Sequence, residues 1–400
     1  MSLYAINGCG TSDHFYPERP GKTTKVSTGE ELYLAVINAE PWETIQIEDG
    51  EYNLRRSLLI ENKSHLTICS ASADSSKVKL QGDGWNDFYH RKNKENDPAD
   101  LIIIRNSEDI FIADITISEV SHYGIKLDTE TGNATSDLTN IQTYRCHFKN
   151  IGTRAFKGTA PTDRKHLDGG SVRFCTFENS KIPDTSWLYN GDYISSIDMM
   201  YLADWNFSDN IFRNIRGANG GGRGAIFIWN QSRNIIVERN IFIGCDRSIA
   251  FGNPSEPTNY EPGTLHNYDG IIRNNFITGD ITGGKGIEIV WADNIMVYNN
   301  SICCSDTSYL AIHYFQKINR LTMINNLVTG LIKGEGENIV FENNLTGVPE
   351  SFFKDPHSGD LHLTDVAANA IGKGITIHSV ADDIDRQKRK AHVDIGADEK

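Results

Sequence analysis

Ile235-Ile236-Val237-Glu238-Arg239-Asn240-Ile241-Phe242 is the stretch on which the fold turns. Its phrase is a β-branched strand, a polar turn, an Asn and an apolar residue. It returns as Ile271-Ile272-Arg273-Asn274-Asn275-Phe276, as Ile295-Met296-Val297-Tyr298-Asn299-Asn300-Ser301-Ile302 and as Leu321-Thr322-Met323-Ile324-Asn325-Asn326-Leu327-Val328. Aligned on the phrase, one position reads Ile115, Cys146, Cys175, Asn210, Asn240, Asn274, Asn300, Asn326 and Asn344. The steps between them are 31, 29, 35, 30, 34, 26, 26 and 18 residues. A near-regular period with its insertions in glycine-rich turns is solenoid arithmetic.

The strand pieces alternate apolar and polar residues, so one face of each fills a coil interior. This predicts an all-β chain, a single-stranded right-handed parallel β-helix. Asparagines stacked at one bend can bond to one another along the stack and satisfy amides that are costly to bury bare. Cys146 and Cys175 share that column and read as small buried thiols. An immunoglobulin-like array needs longer strands and Asn-Gly hairpins, which are largely missing.

The ends read as covers. Ser27-Thr28-Gly29-Glu30 matches a capping box, and Leu32, Ala35, Val36 and Ala39 follow at helical spacing until Pro41. A helix over 26–40 can shield the open end of a solenoid whose coils run from 44 to 348. Residues 349–400 lose the repeat and read as an irregular C-terminal cap, with the basic run Arg386-Gln387-Lys388-Arg389-Lys390 solvated. The 400 residues thus form one domain, although length alone allows two or three.

Composition narrows the function. A net charge of -14 argues against a general nucleic-acid binder, which needs clustered Lys and Arg. No apolar run approaches the ~18 residues of a membrane span. Seven cysteines without CxxC spacing indicate neither a zinc site nor a disulfide framework, and adjacent Cys303 and Cys304 read as two free thiols. Met1-Ser2-Leu3-Tyr4 shows no basic and apolar leader.

The capping helix, the phrase Thr44-Ile45-Gln46-Ile47-Glu48-Asp49-Gly50-Glu51-Tyr52 and the Asn-ladder coils resemble the pectate-lyase-like β-helix superfamily. The N-terminal phrase is similar to its alginate lyase and chondroitinase B type. The tail Gly359-Asp360-Leu361-His362-Leu363 and Val393-Asp394-Ile395-Gly396-Ala397-Asp398-Glu399 resembles the ends of bacterial extracellular β-helix proteins. The resemblance implies a monomeric, extracellular or periplasmic protein whose partner is a polysaccharide. It also allows Ca2+ as cofactor, although the Asn-Glu-Glu calcium set of that type is not evident.

Such a protein works on its outer surface. Aligning each coil on an inward apolar residue (Ile125, Phe156, Ile197, Ile226, Ile249, Ile287, Ile312) makes the next position face outward. It reads Lys126, Lys157, Asp198, Phe227, Ala250, Glu288 and His313. Two positions earlier stand Gly124, Ala155, Ser196, Ala225, Ser248, Gly286 and Ala311, all small, which suggests a shallow groove. Around Lys157 the local charge is +3 between Arg154 and Arg173, which suits an anionic sugar.

A uronate lyase must neutralise the C6 carboxylate, remove the C5 proton and protonate the leaving oxygen. Lys157, beside Lys126 and Arg154, has the like-charge company that lowers an amine's pKa, and the resemblance implies a catalytic lysine in this role. The expected catalytic set is Lys157, Asp198 and Arg154. Lys126, His166, Arg223, Trp229, Arg247, Glu288, Trp291 and His313 are the expected substrate contacts. The alternatives are a glycoside hydrolase pairing Asp198 with Asp192 or Asp204, and a non-catalytic glycan-binding or adhesin β-helix.

Overall fold

The computed structural model describes residues 16–90, 99–129, 138–158, 167–257, 264–279, 284–306 and 308–400. Its single α-helix among these, Gly29–Asn38, carries the anticipated capping box: the Thr28 side chain accepts from Glu31 N–H, and the Glu31 carboxylate accepts from the Thr28 backbone. Leu32 and Val36 are buried under it against the first coil.

The coils that follow have three faces. Two are bridged into one 23-stranded parallel sheet and the third forms an 11-stranded parallel sheet. Isoleucine, valine, leucine and phenylalanine fill the interior as one continuous core. Phe148, Phe177, Phe212 and Phe242 stack inside it at 4.7–4.8 Å, almost parallel, because each occupies the same register position of successive coils.

The asparagine stack runs through Asn210, Asn240, Asn275, Asn300, Asn326 and Asn344. Each Oδ1 accepts from the backbone N–H and the Nδ2 of the preceding member, all at 2.8–3.1 Å. Cys175 joins through its N–H to Asn210 Oδ1, and Cys146 N–H meets Cys175 Sγ. The ladder member is therefore Asn275, not Asn274. Asn274 fills the turn position before the ladder, which is left-handed in all nine coils from Asp114 to Asn343, with φ between 48° and 60°. Where a coil reads Asn-Asn, the first asparagine makes the turn and the second the ladder.

Two further readings are corrected. The small column lines no groove: Ala155 with Phe156, Ala225 with Ile226 and Ala311 with Ile312 all point into the core. The strand pairing passes from residue 123 to 125, from 154 to 156 and from 285 to 287, skipping the small residue each time. A Cβ on Gly124 would meet the Ala155 carbonyl oxygen at 2.6 Å, so smallness is imposed by the next coil's backbone. The basic run is solvated at Arg386, Gln387, Lys388 and Lys390 but not at Arg389. Arg389 is buried and bonds Glu399 and Asn274, while Arg386 bonds Asp209 and lies over the Phe174 ring.

Residues 349–400 pack along the flank of the solenoid. Phe352, Leu361, Leu363, Ala370 and Ile395 cover Phe276, Cys303 and Leu327 on the outside of the 11-stranded sheet. Cys303 belongs to that outer cluster and Cys304 to the inner core, as strand alternation requires, and neither is in a disulfide.

Candidate functional site

The skipped small residue has a consequence for the outer surface. With two consecutive residues turned inward, the residue three places before the outward column also faces out. Arg154 and Lys157 therefore both reach the carboxylate of Asp198 in the next coil, and Arg247 and Lys285 both reach Glu288. The register places Lys126 beside Lys157, Lys157 beside Asp198, and Glu288 three coils beyond Asp198.

Asp198 is the centre of the first cluster. Its Oδ2 lies 2.5 Å from Arg154 Nε, and its Oδ1 accepts from Lys157 Nζ at 3.0 Å and Trp229 Nε1 at 3.1 Å. Burial pushes the Asp198 pKa up. The charges of Lys157 and Arg154, with the hydrogen bonds from Arg154 and Trp229, outweigh it and hold the carboxyl below the usual range. Asp198 is thus an ionised acceptor, not the protonated acid that a hydrolase requires.

Arg154 has almost no surface to offer a ligand. Its side chain is 1% exposed, it donates to the carbonyls of Thr153 and Tyr193, and it packs under the Tyr193 ring at 4.1 Å. It is a positioning residue for Asp198. Lys157 keeps 14% of its side chain in solvent. Its expected like-charge company is neutralised: Arg154 is paired with Asp198, and Lys126 lies 3.3 Å from Asp128, which also holds Arg105.

The second cluster surrounds Glu288, which is fully buried and so is no direct substrate contact. Arg247 approaches its Oε1 at 3.0 Å, Lys285 pairs with Oε2, and His313 Nδ1 stands 3.9 Å from Oε2. His313 stacks on Phe315 at 4.5 Å. Burial and the charges of Lys285 and Lys333 lower its pKa against the pull of Glu288. Between the clusters, Trp229 stacks on Phe227 at 5.3 Å, followed by Ala250. Trp291 is half-buried with its indole N–H unbonded among the described residues.

Arg223 stands beside the first cluster, its guanidinium 5.1 Å from the Tyr189 ring centre and 5.9 Å from that of Tyr193. The glycine-rich turn before it is held by Asp192 and Asp246, which accept backbone N–H bonds from Gly221 and Gly222. Asp192 therefore serves that turn, and Asp204 bonds Asn234. His166 lies outside the described residues. Tyr193 and the segment 84–90, whose Phe88 stacks on His122 at 3.7 Å and whose Tyr89 meets Tyr193, complete this wall. No repeat signal pointed to them, because they come from insertions.

A calcium ion does not fit this column. All four carboxylate oxygens of Asp198 and Glu288 already face Arg or Lys nitrogens, whereas Ca2+ needs six to eight free oxygen donors.

No protein-family model matches the sequence, and no curated protein matches it. Solved structures do. An alginate lyase from Paenibacillus sp. str. FPU-7 superposes with a TM-score of 0.52 at 16% identity, over 82% of this chain and 99% of the other. The pectate lyase Pel9A gives 0.53 at 11% identity, over 92% and 90%. The tailspike protein of E. coli bacteriophage HK620 gives 0.53 at 14% identity, over 83% and 60%. The chain has the fold of these proteins, the pectate-lyase-like right-handed parallel β-helix. Among the described residues no helix is long and apolar enough to cross a membrane.

Proposed function

We propose that the chain is a polysaccharide-active enzyme that cleaves an acidic, uronate-containing glycan by β-elimination on the outer face of its long sheet. The observation that carries this reading is the Arg154–Asp198–Lys157 cluster. One buried carboxylate is met by two cations, so the surface keeps a surplus positive charge inside a protein of net charge -14. An incoming carboxylate is favoured there, and Lys157 is the cation that reaches solvent. The alginate lyase and the pectate lyase that share the fold agree with it.

In this reading Lys157 handles the proton. It takes it from C5 as an amine, or gives it to the leaving oxygen as the ammonium that Asp198 stabilises. Arg154 fixes Asp198, and Lys126 and Arg223 bind the substrate carboxylate. Neutralisation comes from these cations without a metal ion. A polymeric substrate places the protein outside the cytoplasm, in the periplasm or beyond.

The test is a screen of alginate, pectate and glycosaminoglycans for the ultraviolet absorbance of an unsaturated uronide, with and without chelator. Chelator-resistant absorbance supports the reading. New reducing ends without absorbance indicate hydrolysis, and binding without cleavage indicates a glycan-binding module.

A further inference from the structure

The cluster around Glu288 repeats the architecture around Asp198 with different residues. Both carboxylates stand in one outward column, both are buried, and each is met by two cations delivered by the same inward kink. A fixed ion pair would be complete with one cation. Here Arg247 and Lys285 overcompensate one carboxylate, and Lys333 stands in the same column one coil beyond His313. The pairing is also imperfect. His313 Nδ1 stands 3.9 Å from Glu288 Oε2, beyond hydrogen-bond reach, and has no hydrogen-bond partner among the described residues.

A donor left in this state is costly unless an acceptor completes it. Arg247, Lys285 and His313 keep 18%, 23% and 22% of their side chains in solvent, so an anion can approach the cluster from outside while Glu288 orients it from below. We propose that Arg247, Lys285 and His313, held by Glu288, form a second anion subsite for a carboxylate of the same glycan chain.

The spacing fixes which carboxylate. Three coils separate Asp198 from Glu288, about 14 Å at ~4.8 Å per coil. One pyranose in an extended chain advances by close to one coil. A chain lying along the solenoid axis thus brings the carboxylate of sugar i to Lys157 and that of sugar i+3 to Lys285. Trp229 and Phe227 offer it an apolar floor in between. An odd step of three matches a run of consecutive uronates. An alternating copolymer, with a carboxylate on every second sugar, leaves one cluster unfilled. This rests on the reading of Lys157 as part of an acidic-glycan site.

The test is calorimetric binding of homo-oligouronates of two to six residues, from pectate and from alginate, and of hyaluronan oligosaccharides of equal length. The Lys157→Arg chain, which keeps the cation at the first cluster but replaces the amine, serves to prevent cleavage. The expected result is an affinity step of about tenfold or more between trimer and tetramer, seen for a homo-oligouronate and not for hyaluronan. In Lys285→Met/Glu288→Gln, which removes one charge of each sign, the step disappears. A smooth rise of affinity with length, or an equal step for hyaluronan, overturns the second subsite even where the parent chain cleaves a uronate polymer. Failure of every oligomer to bind overturns both the subsite and the acidic-glycan reading. The step in the otherwise unaltered chain decides the matter if the double variant does not fold.

Discussion

Arg154 Nε and Asp198 Oδ2 lie 2.5 Å apart across two neighbouring coils, with both side chains almost wholly out of water. Breaking a buried pair strands one charge. Asp198→Asn should therefore destabilise the chain by about 3–5 kcal/mol, measured as a lower urea midpoint at unchanged slope. Replacing both residues together, Arg154→Met with Asp198→Leu, should recover most of that loss while abolishing activity. An Asp198→Asn chain as stable as the parent would show that the pair is not closed in solution.

Lys157 lies at the edge of the same cluster, and its removal leaves Arg154 and Asp198 paired. Lys157→Ala should keep the parent's melting temperature within a few degrees and lower uronide formation by at least a hundredfold. The pH–rate profile of the parent assigns its role. A rate that rises with pH marks the amine as base, and one that falls marks the ammonium as acid. Undiminished turnover in Lys157→Ala would remove it from the mechanism.

Asn275 and Asn274 are neighbours with different duties, and single replacements should separate them. Asn275→Ala deprives the Asn240 N–H and Nδ2 of their acceptor in the core, a global loss of about 1–3 kcal/mol. Asn274→Ala instead loses contacts to Asp382 and Arg389 and strains a left-handed turn. Hydrogen exchange should then show opening confined to residues around 379–392. Equal global effects from both variants would contradict the register.

His362 ties the C-terminal segment together, with Nδ1 2.5 Å from Asp360 and Nε2 2.8 Å from Asp385. Burial pushes its pKa down, but the bonds to Asp385 and Asp360 outweigh this and raise it to about 9. A raised histidine pKa stabilises fully below the unfolded value of ~6.5 and loses that contribution as pH rises through the folded value. Limited proteolysis of residues 349–400 should thus accelerate between about pH 6.5 and 9. The acceleration should vanish in His362→Gln. Cleavage independent of pH in the parent would break the argument.

Much of this protein was legible in the chain. Repeated spacing identified the solenoid, strand alternation the outward column of Lys126, Lys157, Asp198, Glu288 and His313, and the capping box the N-terminal cover. These are local properties: a period, an alternation of faces and a helix start are each written within a few residues. The Asn274–Asn275 ambiguity shows the limit. Two identical residues differ only in which of them the turn bends left-handed.

What the repeat could not show was the inward kink at Gly124, Ala155 and Gly286. It exists because the backbone of the next coil occupies the space a larger side chain would need. That single non-local contact turns Arg154 and Arg247 outward, buries Asp198 and Glu288 beneath paired cations, and converts an expected groove into core. Local sequence specified the coil, its period and the residues of its outward column. The tertiary structure decided which of those residues meet, because burial and ion pairing depend on what the neighbouring coil places across a few ångströms.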